Sequence, residues 1–155
     1  MDPHRRLVLK GTGSLSVLGL ALAAGFSPQK ALAAWPSGAF ATRNPKEAVT
    51  RVEGGSAIEM AHVTVTAPRL AENGAVVPVS VESDLPNVVS MAVFAEENPF
   101  PLASEFELRP GVLPFVSTRM RLAKTQQIMG VVKTADGKLY GGKRLVKVTI
   151  GGCGG

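Results

Sequence analysis

Gln127-Ile128-Met129-Gly130-Val131-Val132-Lys133-Thr134-Ala135-Asp136-Gly137-Lys138-Leu139-Tyr140 decides the fold class. A strand-length run from Gln127 to Thr134 is followed by Asp136-Gly137 and a second β-prone run, Lys138 to Tyr140. Asp-Gly between two such runs supplies the positive φ that a tight hairpin demands. Downstream, Lys143 to Ile150 alternates Leu145 and Val148 or Ile150 with lysine and threonine, and closes the domain. Upstream, Phe115 to Leu122 sets Val116, Thr118, Met120 and Leu122 against Ser117, Arg119 and Arg121. Ala103 to Leu108 alternates as well, behind the rigid turn Asn98-Pro99-Phe100-Pro101. Val88 to Ala95 is almost continuously apolar, as expected of a strand buried on both faces. Val76 to Ser83 reads as another strand, in which Pro78 implies a free edge nearby. Pro68 to Gly74 is expected to turn the chain. Ile58 to Ala67 is expected to form one strand, with Ile58, Met60, His62, Thr64 and Thr66 on one face. Seven or eight short strands separated by turn signals predict an all-β, antiparallel β-sandwich.

One helix is predicted. Asn44-Pro45-Lys46-Glu47 combines a capping residue, a proline suited to the first helical position and a glutamate in capping-box spacing. Ala48, Val49 and Val52 give it a short apolar stripe, and Gly54-Gly55 ends it. Ala34 to Arg43 shows no period and reads as a loose lead-in.

Composition excludes several chemistries. The single cysteine, Cys153, cannot form an internal disulfide framework or a multi-thiolate metal site. Two histidines, His4 and His62, cannot supply a three-histidine centre. The cations are scattered and not striped, which argues against nucleic-acid binding. Residues 1–33 read as an export address. Arg5-Arg6-Leu7-Val8-Leu9-Lys10 precedes an uncharged apolar run from Gly11 to Gly25, and Ala31-Leu32-Ala33 is a small-x-small cleavage signature. The run is shorter than the roughly 20 residues that a spanning helix needs. The paired arginines resemble a twin-arginine signal, with His4 and Val8 as departures from the usual pattern. Arg5, Arg6, Lys10 and Lys30 against Asp2 give this segment a net +3, so cleavage leaves +2 of the chain's +5. The expected organisation is a cleaved signal over 1–33, a sandwich over 34–150 and an arm over 151–155, with the mature chain in the periplasm and no membrane attachment.

The arm carries the chemistry. Ile150 gives way directly to Gly151-Gly152-Cys153-Gly154-Gly155. Four glycines impose no side chain and little backbone restriction. A thread of this kind can deliver its thiol about 10 Å beyond Ile150, at ~3.4 Å per residue. Glycines cannot pack a core around the sulfur, and a single thiolate lacks the neighbouring ligands of a metal site. A covalent attachment point and an intermolecular disulfide remain. No lysine, arginine or histidine lies within the last eight residues, and the terminal carboxylate opposes ionisation. The thiol is therefore a weak nucleophile by itself and is expected to be activated inside partner active sites, the chain being a substrate carrier and not an enzyme.

These residues resemble a known family. Ile150 to Gly155 is similar to the C-terminus of the sulfur-carrier subunit Y of the bacterial thiosulfate-oxidising (Sox) system. Leu70-Ala71-Glu72-Asn73-Gly74-Ala75-Val76-Val77-Pro78-Val79, Phe94-Ala95-Glu96-Glu97-Asn98-Pro99, Arg119-Met120-Arg121-Leu122-Ala123 and Val146-Lys147-Val148-Thr149-Ile150 resemble further family segments. The resemblance implies an immunoglobulin-like sandwich paired with a second sandwich subunit, carrier Z, and exported with it. It implies that a c-type cytochrome couples thiosulfate to Cys153 and that a hydrolase then releases sulfate. In many systems a sulfane dehydrogenase oxidises the remaining sulfur. No cofactor is implied beyond the covalently held intermediates, and Gly151, Gly152, Gly154 and Gly155 provide the arm's freedom. An exported sandwich adaptor that uses Cys153 only for interchain disulfides is the alternative.

Three further clusters carry less. Met60 and His62 place two soft ligands on one expected strand face, for which ordinary packing is the simpler reading. Glu96-Glu97 reads as a solvated turn pair. Arg119 and Arg121 share an expected face with Ser117 and either contact the partner, steer anionic thiosulfate or simply meet solvent.

Overall fold

The computed structural model describes residues 37–55 and 57–150; the expected signal and the expected arm both lie outside them. The elements are α1 (Ser37–Ala41), α2 (Pro45–Glu53), β1 (Ile58–Glu59), β2 (Val63–Thr66), β3 (Leu70–Asn73), β4 (Val77–Ser83), β5 (Val88–Ala95), β6 (Leu102–Glu107), β7 (Phe115–Met120), β8 (Gln126–Thr134) and β9 (Leu139–Ile150). One sheet has the order β1-β9-β8-β5-β6, with β3 also pairing β9, and the other is β2-β4-β7. The result is the expected immunoglobulin-like sandwich, with two parallel pairings, β1 and β3 against β9, added to its antiparallel ladders.

The decisive hairpin forms as read. Gly137 has φ 83°, and its N–H donates to the Thr134 carbonyl at 2.8 Å. β8 then pairs with β9 from Lys133↔Leu139 to Gln126↔Val146. The apolar run of β5 is explained by two covered faces. Met91, Val93 and Ala95 point between the sheets, beside Val77, Val79, Val81, Ile128 and Val132. Ala92 and Phe94 point to the opposite face, beneath Ala39, Ala48 and Val49 of the helices. Strict alternation is lost because helices cover the face that a plain sandwich exposes to water.

Helix α2 spans the expected residues. Asn44 Oδ1 accepts from the Lys46 and Glu47 amides at 3.0 and 3.4 Å, and the Gly54 N–H donates to the Thr50 carbonyl with φ 74° at Gly54. Glu47 does not complete a capping box; it accepts from Arg51 at 2.6 Å and from Thr42 at 3.0 Å. The lead-in is not wholly loose, since Ser37–Ala41 forms α1. That single turn has no periodic signal and is held by burial of Ala39 against α2 and the sheet.

Three strand expectations change. Ile58 to Ala67 is two strands, divided by a bend with φ 60° at His62, because the chain crosses there from one sheet to the other. Met60 and His62 therefore share no strand face. The expected turn Pro68 to Gly74 contains β3, in parallel register Leu70↔Lys147 and Ala71↔Val148. The two expected strands from Lys138 to Tyr140 and from Lys143 to Ile150 merge into a single twelve-residue strand, Leu139–Ile150, which Lys138 precedes. Pro78 behaves as read: β2 covers only Ser80–Ser83 of β4, leaving the edge beside Val77–Val79 open.

The crossing needs glycine. A Cβ on Gly142 would lie 2.1 Å from the Val63 carbonyl oxygen, and one on Gly141 2.7 Å from Ile58 Cγ2. Gly130, opposite Gly142 in the ladder, would place a Cβ 2.7 Å from Val81 Cγ1. Gly142→Ala meets backbone, which cannot rotate away. It is expected to cost about 1–3 kcal/mol in chemical denaturation; a variant as stable as wild type contradicts the tight crossing.

Candidate functional site

The strand that carries the proposed arm is fastened up to its last residue. The Lys147 amide donates to the Arg69 carbonyl at 3.0 Å, and the Val148 amide donates to Thr125 Oγ1 at 2.9 Å. Thr149 Oγ1 donates to the Glu72 carbonyl at 2.9 Å, and Asn73 is in register with Ile150. Asn73 Oδ1 in turn accepts from the Ala75 amide at 2.8 Å, which stiffens the turn after β3. Gly151, Gly152, Cys153, Gly154 and Gly155 follow immediately and lie outside the described residues. The firm root is a property of β3, the element that periodicity did not reveal.

Beside this root, Arg69, Leu70, Arg144, Leu145 and Lys147 line a groove of about 480 Å³. Its two leucines are 54 % and 46 % exposed, high for large apolar side chains. Its three cations have no ion-pair partner among the described residues. Arg144 Nε is buried without a hydrogen-bond partner. Scattered cations in the sequence thus converge where β3 meets β9. Arg69 sat in an expected turn, and its neighbours could not be inferred without that parallel pairing.

The other candidates separate. His62 Nδ1 lies 3.0 Å from Asp84 Oδ1 and its ring meets Tyr140 edge-on at 5.8 Å, whereas Met60 lines a different cavity of about 810 Å³ with Val49, Ile58 and Met129. Among the described residues, no group of three His, Cys, Asp or Glu side chains could hold a metal ion. Glu96 pairs with Lys143 at 2.5 Å and Glu97 with Lys124 at 2.8 Å, so the turn pair is an ion-paired rim. Arg119 is exposed on β7, but Arg121 lies past the end of that strand, where its carbonyl accepts from Asn98 Nδ2 at 2.7 Å.

One buried acid was not anticipated. Glu53, 2 % exposed at the end of α2, accepts from Ser90 Oγ at 2.8 Å through one oxygen, and its other oxygen has no partner. Burial pushes its carboxyl above the ordinary carboxylate range; Ser90 and Lys133 oppose the rise and Glu105 adds to it. A raised folded-state pKa stabilises the fold below the unfolded value near 4.5, and that contribution is lost as pH rises through the folded value. Relative to Glu53→Gln, wild type should therefore lose stability as denaturation is measured from pH 4.5 upward. A difference that is flat, or that grows with pH, contradicts a raised Glu53.

The comparisons with known proteins agree with the sandwich and with the family that the sequence resembles. Residues 41–153, through Cys153 itself, match the family model described as sulfur oxidation protein SoxY. The sulfur carrier protein SoxY from Chlorobium limicola f thiosulfatophilum is similar at 39 % identity and TM-score 0.61, over 67 % of this chain and 94 % of that one. A superoxide reductase (neelaredoxin) from Ignicoccus hospitalis shares the fold at 21 % identity and TM-score 0.51, over 63 % of this chain and 90 % of that one. No curated protein matches the chain. With a family model matched over most of the chain and a solved family member similar at 39 % identity, the chain belongs to the SoxY family, whose members carry sulfur and are not catalysts.

Proposed function

We propose that this chain is a periplasmic carrier that holds the intermediates of thiosulfate oxidation on Cys153 and presents them to successive enzymes. The observation that carries the reading is a strand fastened through Ile150 and followed at once by Gly-Gly-Cys-Gly-Gly, within a chain of the SoxY family. The root fixes direction, and the glycines let one thiol enter a channel too narrow for a bulkier segment. Loading is an oxidation. The Cys153 thiol and thiosulfate join through a new S–S bond as Cys–S–S–SO3⁻, releasing one proton and two electrons to a c-type cytochrome. Hydrolysis then returns sulfate and a proton and leaves Cys–S–SH, which a sulfane dehydrogenase can oxidise. Carrier Z is the expected constant partner, and the paired arginines Arg5-Arg6 suit export of an already folded pair.

Intact-mass analysis of the purified protein, incubated with thiosulfate and periplasmic extract of thiosulfate-oxidising cells, tests this. Sulfur-containing adducts are expected on wild type and absent from Cys153→Ser. A disulfide dimer without adducts favours the adaptor alternative.

A further inference from the structure

We propose that Glu53 is a proton-operated latch for the helix layer: protonated, it holds the C-terminal end of α2 against the outer face of the β1-β9-β8-β5-β6 sheet, and ionised, it lets that end open. Three features of the structure support this. The first is how little else fastens the helix. The buried residues of α2 are Ala48, Val49 and Glu53, with Val52 partly buried beside them, so small apolar groups share the contact with one acid. The second is how the acid's oxygens are served. One accepts from Ser90 Oγ at 2.8 Å, and the other, Oε1, is buried with no partner. A protonated carboxyl leaves a neutral group there, whereas an ionised one leaves charge in a pocket that does not solvate it, which costs more. The third is that the neighbouring cation is engaged elsewhere. Lys133 Nζ donates to the Glu53 main-chain carbonyl at 2.8 Å, and no ion pair joins it to the carboxylate. The ammonium caps the helix end and leaves the carboxyl uncompensated.

The groups that face this carboxyl are Ser90 from β5, Lys133 from β8 and Glu105 from β6, with Glu107 beside Glu105. The α1 turn, Ser37–Ala41, brings no titratable residue, and Glu47 and Arg51 of α2 pair with each other. Burial raises the Glu53 pKa, Ser90 and Lys133 oppose the rise, and Glu105 adds to it. A raised closed-state pKa makes the latch firm below the open-state value near 4.5 and weakens it as pH climbs through the closed-state value. Acid therefore tightens the helix layer, the reverse of what a salt-bridged carboxylate does.

Amide hydrogen exchange of the purified protein, read residue by residue from below pH 4.5 to neutrality and divided by the intrinsic rate at each pH, reads the latch directly. Protection of the Val49 to Gly54 amides is expected to fall by up to about tenfold per pH unit above 4.5, the slope set by one proton, and then to level off. These amides should also exchange faster than those of Val93 and Val131 within the sheet, as local opening requires. Glu53→Gln, neutral at every pH and still an acceptor for Ser90, should keep the low-pH protection throughout. Glu105→Gln should retain the fall. Ser90→Ala removes a bond that favours the charged form, so its fall should extend to higher pH; this variant keeps the test decisive if Glu53→Gln does not fold. Protection of α2 that is flat with pH overturns the proposal, as does a fall that persists in Glu53→Gln, is lost in Glu105→Gln or fails to extend in Ser90→Ala. So does α2 exchange that matches Val93 and Val131 at every pH, because the helix then opens only when the whole domain unfolds. None of these outcomes depends on whether Cys153 acquires sulfur.

Discussion

Cys153→Ser is expected to abolish thiosulfate-dependent respiration in cells that rely on this chain while leaving its thermal midpoint unchanged. Serine preserves the size of the side chain but removes the sulfur on which every proposed intermediate is built. A hydroxyl forms no S–S bond, so loss should be complete and not graded. No cysteine remains elsewhere in the chain to substitute. Stability should not move, because the described ladders end at Ile150 and the core lies between the sheets and under the helices. The paired readout matters. Respiration lost together with the thermal midpoint indicates a folding defect, and respiration retained removes Cys153 from the pathway.

The largest effect on stability is expected at Phe94. It is fully buried in β5, on the sheet face that the helices cover, among Ala39, Ala48, Val49, Met129, Val131 and Leu139. Its neighbours are fixed by ladders on both sides, Met129 of β8 and Leu102 of β6, so the space left by truncation cannot readily collapse. Phe94→Ala should cost about 3–5 kcal/mol by denaturant unfolding. That is a large share of the ~5–15 kcal/mol typical of a domain. The helix layer should loosen first, because α1 and α2 meet the sheet through this cluster. A loss below about 1 kcal/mol, within the range of a surface change, contradicts a helix-covered face.

What the sequence revealed was local. Asp136-Gly137 announces the hairpin because the turn's backbone demands such residues. Val88 to Ala95 announces burial on both faces, and Asn44-Pro45 announces a helix start. What it concealed was pairing. Leu70 to Asn73 has too short a pattern to reveal that it lies parallel to β9, so the fastening of the arm root and the convergence of Arg69 with Arg144 and Lys147 were hidden with it. The break at His62 was hidden because alternation continues in the sequence across the point where the chain changes sheets. Gly141 and Gly142, which fall between two expected strands, instead lie within β9 and mark that crossing by the space they leave for Val63 and Ile58. The candidate thiol was legible because its neighbours are all glycine; the firm root that precedes it was not, because it depends on the pairing of β3 with β9.

The most direct measurement is peptide mass analysis of the chain taken during thiosulfate turnover. Cleavage after Lys147 releases Val148 to Gly155, a peptide in which Cys153 is the sole sulfur-bearing residue. The account predicts that this peptide gains sulfur and sulfonate masses during turnover and loses them when substrate is exhausted. Sustained turnover with this peptide unmodified at every time point would contradict it.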